Sequence, residues 1–219
     1  MITYEQIKND PEIRTYIERA DRALLALGYT EHSFAHTCTV AENAARILTA
    51  LGYPERTAEL ARIAGVMHDI GNLVNRQDHS QSGAIMAFRL LEKRGMEPEE
   101  ICEIVSAIGN HDEGTGIPVS DIAAALIIAD KSDVRRTRVR NSDDIENDIH
   151  DRVNWSVTKS ALTFDADNKY LTLSLTVDTA CGSIMDYFEI FLGRMKLCRS
   201  SARTLGVEFR LNINGQEFI

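Results

Sequence analysis

A mainly α-helical fold with a small C-terminal α+β (β-β-α-β) appendage is what the sequence predicts, on three observations. Apolar residues recur at helical spacing through most of the first part of the chain. Glycines and prolines punctuate those runs at helix stops and starts. After about Asn154 the spacing changes to the alternation of strands. The predicted division is 1–150 for the helical part and 151–219 for the appendage.

Asp10 before Pro11 supplies an N-cap and a proline at the first helical position, and Ile13, Ile17, Ala20, Leu24 and Leu27 follow at helical spacing up to Gly28. Thr30 reads as the cap of a second helix, in which Phe34, Val40, Ala44, Ile47 and Leu48 lead to Gly52. Pro54 opens a third, through Leu60, Ile63, Ala64 and Met67 to the pair His68-Asp69. Further helices are expected from about Ser80 to Arg94 before Gly95, from Pro98 to Ile108 before Gly109, and from Asp121 to about Arg138 behind a Ser120 cap. A glycine-rich loop, Asn110 to Val119, joins the last two. Asn141 to Asp151 is acidic and poor in apolar residues, the composition of a linker or exposed turn. A strand-like run from Trp155 to Phe164, the turn-like Asp165-Ala166-Asp167-Asn168, and Leu171, Leu173, Leu175 and Val177 alternating with polar residues predict a hairpin. A helix from about Ser183 to Leu205 and a strand through Val207, Phe209 and Leu211 complete the appendage.

With 219 residues, 44% of them hydrophobic, the chain is long enough to bury a substantial core. No uncharged apolar run reaches membrane-spanning length, and Met1 to Asp10 lacks the pattern of a secretory signal, so no membrane partner and a cytoplasmic location are expected. The four cysteines, Cys38, Cys102, Cys181 and Cys198, form no CxxC pair and read as reduced core thiols. A formal charge of -9 disfavours nucleic acid as a partner, while leaving room for a local basic patch that holds a phosphate.

The chemistry lies in a few polar residues placed where apolar ones are expected. His68 and Asp69 end a helix that is otherwise nearly all apolar, and burying a carboxylate there costs several kcal/mol, on the order of a transfer estimate, unless something positive meets it. Asp130 repeats the anomaly behind Ala123-Ala124-Ala125-Leu126-Ile127-Ile128-Ala129. His111 falls just past a helix stop and His79 just before a helix start, so both can project into a shared cleft. Neighbouring residues on a helix point about 100° apart, so the His68-Asp69 pair straddles an ion only at a helix end or with one ligand on each of two ions, and a bridging Asp69 suits the second case. Any one of these histidines is more readily explained by a hydrogen bond or the surface; their concentration in one helical region is what points to metal. Mixed imidazole and carboxylate ligands suit Mn, Fe, Co, Ni or Zn better than a pure Mg site. His32, four residues before His36, is placed on the same helical face, as a further ligand, a substrate contact or a plain surface residue. Arg135, Arg136, Arg138 and Arg140 read as exposed cations at a helix end, with Arg135 kept as a candidate phosphate grip.

His36, the run His68-Asp69-Ile70-Gly71-Asn72, and Asp130 followed by Lys131 resemble the H…HD…D signature of HD-domain phosphohydrolases, over roughly residues 20 to 140. The resemblance implies an HD-type helical bundle in which His36, His68, Asp69 and Asp130 bind a divalent metal. It also implies a second ion, held by His79 and His111 with Asp69 as bridge and catalytic centre. The stretch Asn110 to Pro118 is similar to a shortened loop of HD-GYP phosphodiesterases, with Asp112 in place of the second histidine, Ile117 in place of the tyrosine and, earlier in the chain, Asn72 in place of the usual lysine. Ala129 to Arg136 is similar to the corresponding segment of HD nucleotidases and, more loosely, HD ribonucleases. The activity expected is cleavage of a nucleotide or other small phosphate ester by a metal-activated water, and Asn72, Lys131 and Arg135 are the candidates for holding the phosphate. One or two ions of Mn, Fe, Co, Ni, Zn or Mg would serve. Two alternatives stand beside it: a di-iron oxygenase built on the same ligands, and a regulatory module that binds a nucleotide without turnover and assembles, for instance as a homodimer, through its tail.

Overall fold

The computed structural model describes residues 1–140 and 149–218. Its helical part comprises α1 (Tyr4–Lys8), α2 (Pro11–Ala26), α3 (Phe34–Ala50), α4 (Glu55–Met67), α5 (His79–Lys93), α6 (Pro98–Gly109) and α7 (Asp121–Lys131). The expected cap of α2 is present: Asp10 accepts from the amides of Glu12 and Ile13 at 2.9 and 3.1 Å. The short α1 before it carries no apolar period long enough to be anticipated.

Small residues set how close the helices come. Ala41, Ala44 and Ala45 of α3 and Ala58, Ala61 and Ala64 of α4 are all buried. At Gly65 a Cβ would fall 2.5 Å from the Ala41 Cα, so the crossing needs glycine there. α7 sits centrally against α3, α4 and α6. Every residue from Ile122 to Ala129 is buried, as an all-round apolar helix requires.

Three boundaries differ from expectation. α3 is capped by Ser33, whose hydroxyl accepts from Ala35 N, rather than by Thr30. Thr30 uses its carbonyl on the His32 ring, and Glu31 N donates to Arg138 O, so His32 precedes the helix instead of sharing its face with His36. α7 stops at Lys131 rather than near Arg138, because the chain turns there to bring Asp133 under His36 and to bury Arg138. Trp155 is helical, not part of a strand: α8 (Ile149–Ser156) leads directly into β1 (Val157–Phe164). Of the acidic segment Asn141 to Asp151, residues 141–148 lie outside the described residues, and Ile149 to Asp151 begin α8.

β2 (Tyr170–Val177), α9 (Ile184–Thr204), β3 (Glu208–Ile213) and a two-residue β4 (Gln216–Glu217) follow, in a sheet ordered β1-β2-β3-β4. β1 and β2 are the expected hairpin, with Leu162 opposite Leu173. β3 runs parallel to β2, Leu211 beside Leu173, so α9 is the crossover between them. Leu171, Leu173, Leu175 and Val177 are buried, as their alternation requires. α9 also lies against α7, and one apolar core runs from the bundle into the tail. The hairpin is tied to the bundle by Asn168 Nδ2 on Ala50 O at 2.8 Å and by Arg46 on Leu162 O at 2.9 Å. All four cysteines are free thiols, but only Cys198 belongs to the core; Cys102 is exposed, because it faces outward on α6. No helix among the described residues is long and apolar enough to cross a membrane.

Candidate metal centre

His68 is the cap of α4, and Asp69 precedes a short 3-10 turn, Ile70–Leu73. A Cβ on Gly71 would lie 2.0 Å from the His79 carbonyl oxygen, so this glycine is what lets the start of α5 close on the His68-Asp69 turn. His36 comes from the first turn of α3, His111 from just after α6, and Asp130 from the end of α7. The structure thus brings His36, His68, Asp69, His79, His111 and Asp130 to one place.

Their donor atoms fall into two groups around Asp69. Its Oδ2 lies 3.2 Å from His68 Nε2 and 3.8 Å from His36 Nε2, while Asp130 Oδ1 lies 3.7 and 3.4 Å from the same two nitrogens. Its Oδ1 lies 3.4 Å from His79 Nε2 and 3.9 Å from His111 Nε2. Metal–ligand bonds of about 2.0–2.2 Å set neighbouring donors roughly 3 to 3.5 Å apart, so most of these spacings suit the edges of a coordination polyhedron. The wider ones need only a small inward shift.

Each imidazole is held by its other nitrogen. Nδ1 of His68 lies 2.7 Å from Gly65 O, that of His111 2.6 Å from Ile108 O, that of His79 3.1 Å from Arg76 O, and that of His36 2.7 Å from Asp133 Oδ2. These partners are all acceptors, so in the neutral, ligating form the rings carry their proton on Nδ1 and turn Nε2 into the site. Nε2 of His36 and of His68 is buried with no hydrogen-bond partner among the described residues. The Nε2 atoms of His79 and His111 face each other at 3.3 Å, with Arg76 Nη1 at 3.4 Å from His79 as a weak donor. Opposed lone pairs and orphaned nitrogens beside two carboxylates fit a cation, and these residues therefore suit a divalent metal.

The electrostatics agree. Burial opposes the charge on Asp69 and Asp130, but His68 beside the first and Lys131 beside the second hold both carboxyls well below the usual range. Burial likewise opposes the charge on His68, yet Asp69 and Asp130 push it up to about 10. His111 goes the other way: burial, with His68 and Lys131 nearby, pushes it down to about 3.

A cleft of about 130 Å³ opens over the cluster, lined by Tyr29, His32, Arg76, Lys131, Arg138, Asn154 and Arg194 as well as by Asp69, His79, His111 and Asp130. Lys131 is at the site, its Nζ 2.7 Å from Asp130 Oδ2. Asn72 is buried behind it, donating to Asp69 O and Oδ1 at 2.9 Å each, so it orients the carboxylate. Arg135 does not reach the cleft; it is committed to Asp133 and Thr137. Asp112 stands at the edge, 3.9 Å from His79 Nε2. Sequence reasoning missed Asp133, and it missed Arg138, which it placed at the exposed end of α7 but which is 4% exposed. The interval of three from Asp130 to Asp133 was the available signal for the former.

The HD-domain family model matches residues 33–148, and the chain belongs to that family. It is similar to an uncharacterised protein of Methanocaldococcus jannaschii, 26% identical over an alignment of 160 positions that covers 63% of this chain and 61% of that protein's length. It is also similar to a crystal structure of a predicted HD superfamily hydrolase from an uncultured Thermotogales bacterium, with 27% identity and a TM-score of 0.45 over 62% of this chain and 75% of the other.

Proposed function

We propose that this protein is a metal-dependent phosphohydrolase, acting on a nucleotide or other small phosphate ester, in which Asp69 would serve two groups of residues that would each hold a divalent ion. The observation that carries the reading is the division of Asp69, with one oxygen toward His36 and His68 and the other toward His79 and His111. His36, His68, Asp130 and Asp69 Oδ2 would hold one ion; His79, His111 and Asp69 Oδ1 would hold the other. Bound there, divalent ions supply Lewis acidity and a water acidified toward neutrality. Asn72 keeps the Asp69 carboxylate oriented, and Asp133 keeps the His36 ring turned inward. Lys131, Arg76 and Arg138 give the wall positive groups for phosphoryl oxygens. The net charge of -9 favours a small substrate over long nucleic acid, and the cytoplasm is the setting in which four free thiols stay reduced.

Metal analysis of the purified protein, with a screen of nucleotides and phosphate esters under manganese, iron and magnesium, tests this. Two metal equivalents and hydrolysis of a phosphate ester are expected. Absence of bound metal and of hydrolysis overturns the reading. Iron with an oxygen-dependent activity moves it to an oxygenase, and nucleotide binding without turnover to a regulatory module.

A further inference from the structure

Every proposed metal ligand comes from the helical part, but one cation lining the cleft comes from the tail. Arg194 of α9 has its Nε 2.8 Å from Glu113 Oε2 and its guanidinium 4.3 Å from the centre of the Phe191 ring. Those contacts occupy one edge and one face. Its two Nη groups make no hydrogen bond among the described residues, and the side chain is 22% exposed. The loop that carries His111 is seated on the same helix, since a Cβ on Gly116 would lie 3.1 Å from Leu197 and one on Gly193 3.1 Å from Glu113 Oε1.

Other cations line the same cleft. Arg138 is buried with its bonds spent on carbonyls, those of Glu31 at 3.0 and 2.8 Å and of Asp133 at 2.8 Å, and among the described residues no carboxylate hydrogen-bonds to it directly. Arg76 reaches the cleft from beside α5, with Asn72 Oδ1 at 3.3 Å. Among the described residues, the carboxylates that line the cleft, Asp69 and Asp130, are those the proposed metals would neutralise. What remains, among the described residues, is a small positive cavity in a chain of charge -9. A phosphate diester brings one negative charge to such a cavity, whereas a monoester brings about -1.5 to -2.

We propose that Arg194 is a substrate-binding residue which, with Arg76, grips the terminal phosphate of a monoester dianion while the buried Arg138 adds positive potential behind them, and that Glu113 and Phe191 are its positioning residues. This rests on the phosphohydrolase reading. It makes the tail part of substrate recognition while leaving the metal ligands to the bundle.

The test uses full-length, metal-loaded protein with p-nitrophenyl phosphate, bis(p-nitrophenyl) phosphate and inorganic phosphate as probes. Loss of charge-assisted hydrogen bonds predicts that Arg194→Ala raises KM for the monoester and weakens phosphate binding by roughly 10- to 100-fold. Metal content, kcat and diester KM should change far less. Arg194→Lys, which keeps the charge without the fork, and Glu113→Gln should fall between; they carry the test if the alanine variant does not fold. Arg199→Ala, exposed on the same helix, is the control. Unchanged monoester KM and phosphate affinity, equal losses on both esters, or loss of metal from Arg194→Ala each overturn the assignment. If wild-type protein holds metal yet neither cleaves nor binds phosphate, the phosphohydrolase reading itself fails. If wild type hydrolyses and Arg194→Ala is unaffected, only the role of Arg194 is lost.

Discussion

Oδ2 of Asp133 accepts from Nδ1 of His36 at 2.7 Å, with both side chains buried. The carboxylate fixes the tautomer and orientation of a ring whose other nitrogen faces Asp69 and Asp130. Partners of this kind are typically worth about 10- to 100-fold in metal affinity. Asp133→Ala is therefore expected to weaken metal binding by about that factor, read by chelator competition. Asp133→Asn, which keeps an acceptor, should lose less; equal affinity in all three proteins would remove the supporting role.

Asp69→Ala should abolish metal binding and hydrolysis together, because both halves of the cluster use its oxygens. Loss of either outer histidine should cost less. Inductively coupled plasma analysis and an activity assay report both; full activity in the Asp69 variant sinks the metal reading.

His111→Ala removes a donor from the second group only. It should retain about one metal equivalent where wild type holds two, as two-metal architecture requires. Unchanged stoichiometry would show that His111 serves the substrate instead.

Proton release gives an independent test. Ligation needs neutral imidazole. In the metal-free protein His68 is pushed up to about 10, so at pH 8 it carries a proton that a metal must displace. Burial holds His79 and His111 neutral there, the latter near 3. Calorimetry in buffers of different ionisation enthalpy should detect the His68 proton at pH 8, and metal affinity should rise with pH up to about 10. The stability signs are opposite. The His68 contribution to the metal-free fold is complete below the unfolded value of about 6.5 and is lost as pH rises through the folded one. Neutral His111 costs stability as pH falls from about 6.5 toward its folded value. No proton release at pH 8 contradicts the scheme.

Gly71→Ala places a Cβ 2.0 Å from the His79 carbonyl oxygen, against backbone that has no room to yield. A loss of roughly 1–3 kcal/mol or more is expected from overpacking. If the fold survives, metal at the His79 side should be lost first. Thermal melts with and without metal measure both effects.

The cluster of candidate ligands was legible because His68, Asp69 and Asp130 interrupt apolar helices, where a charge must be answered. His79 and His111 were legible as residues at helix ends. Asp133 and Arg138 were not, since Ser132-Asp133-Val134 is compatible with helix and only the tertiary pull of His36 and Glu31 ends α7 at Lys131. Asn214-Gly215 is a hairpin signal that marks β4; both residues have positive φ, 53° and 86°. The docking of the tail had one available cue. A helix as apolar all round as α7 needs cover on every side, and α9 supplies the side that the bundle leaves open. No spacing in the sequence relates Arg194 to the cleft, because its place depends on a parallel crossover far along the chain.

The Nδ1 anchors of the four imidazoles have a thermodynamic consequence. Rings keyed to Gly65, Arg76, Ile108 and Asp133 have little torsional freedom left to surrender when an ion arrives. The cage is preorganised, so differences in affinity among divalent ions reflect the intrinsic bonding of each ion rather than rearrangement of the protein. A rigid cage of nitrogen and carboxylate donors is then expected to follow the general order of transition-metal affinities, with its geometry and the supply of each ion deciding among them.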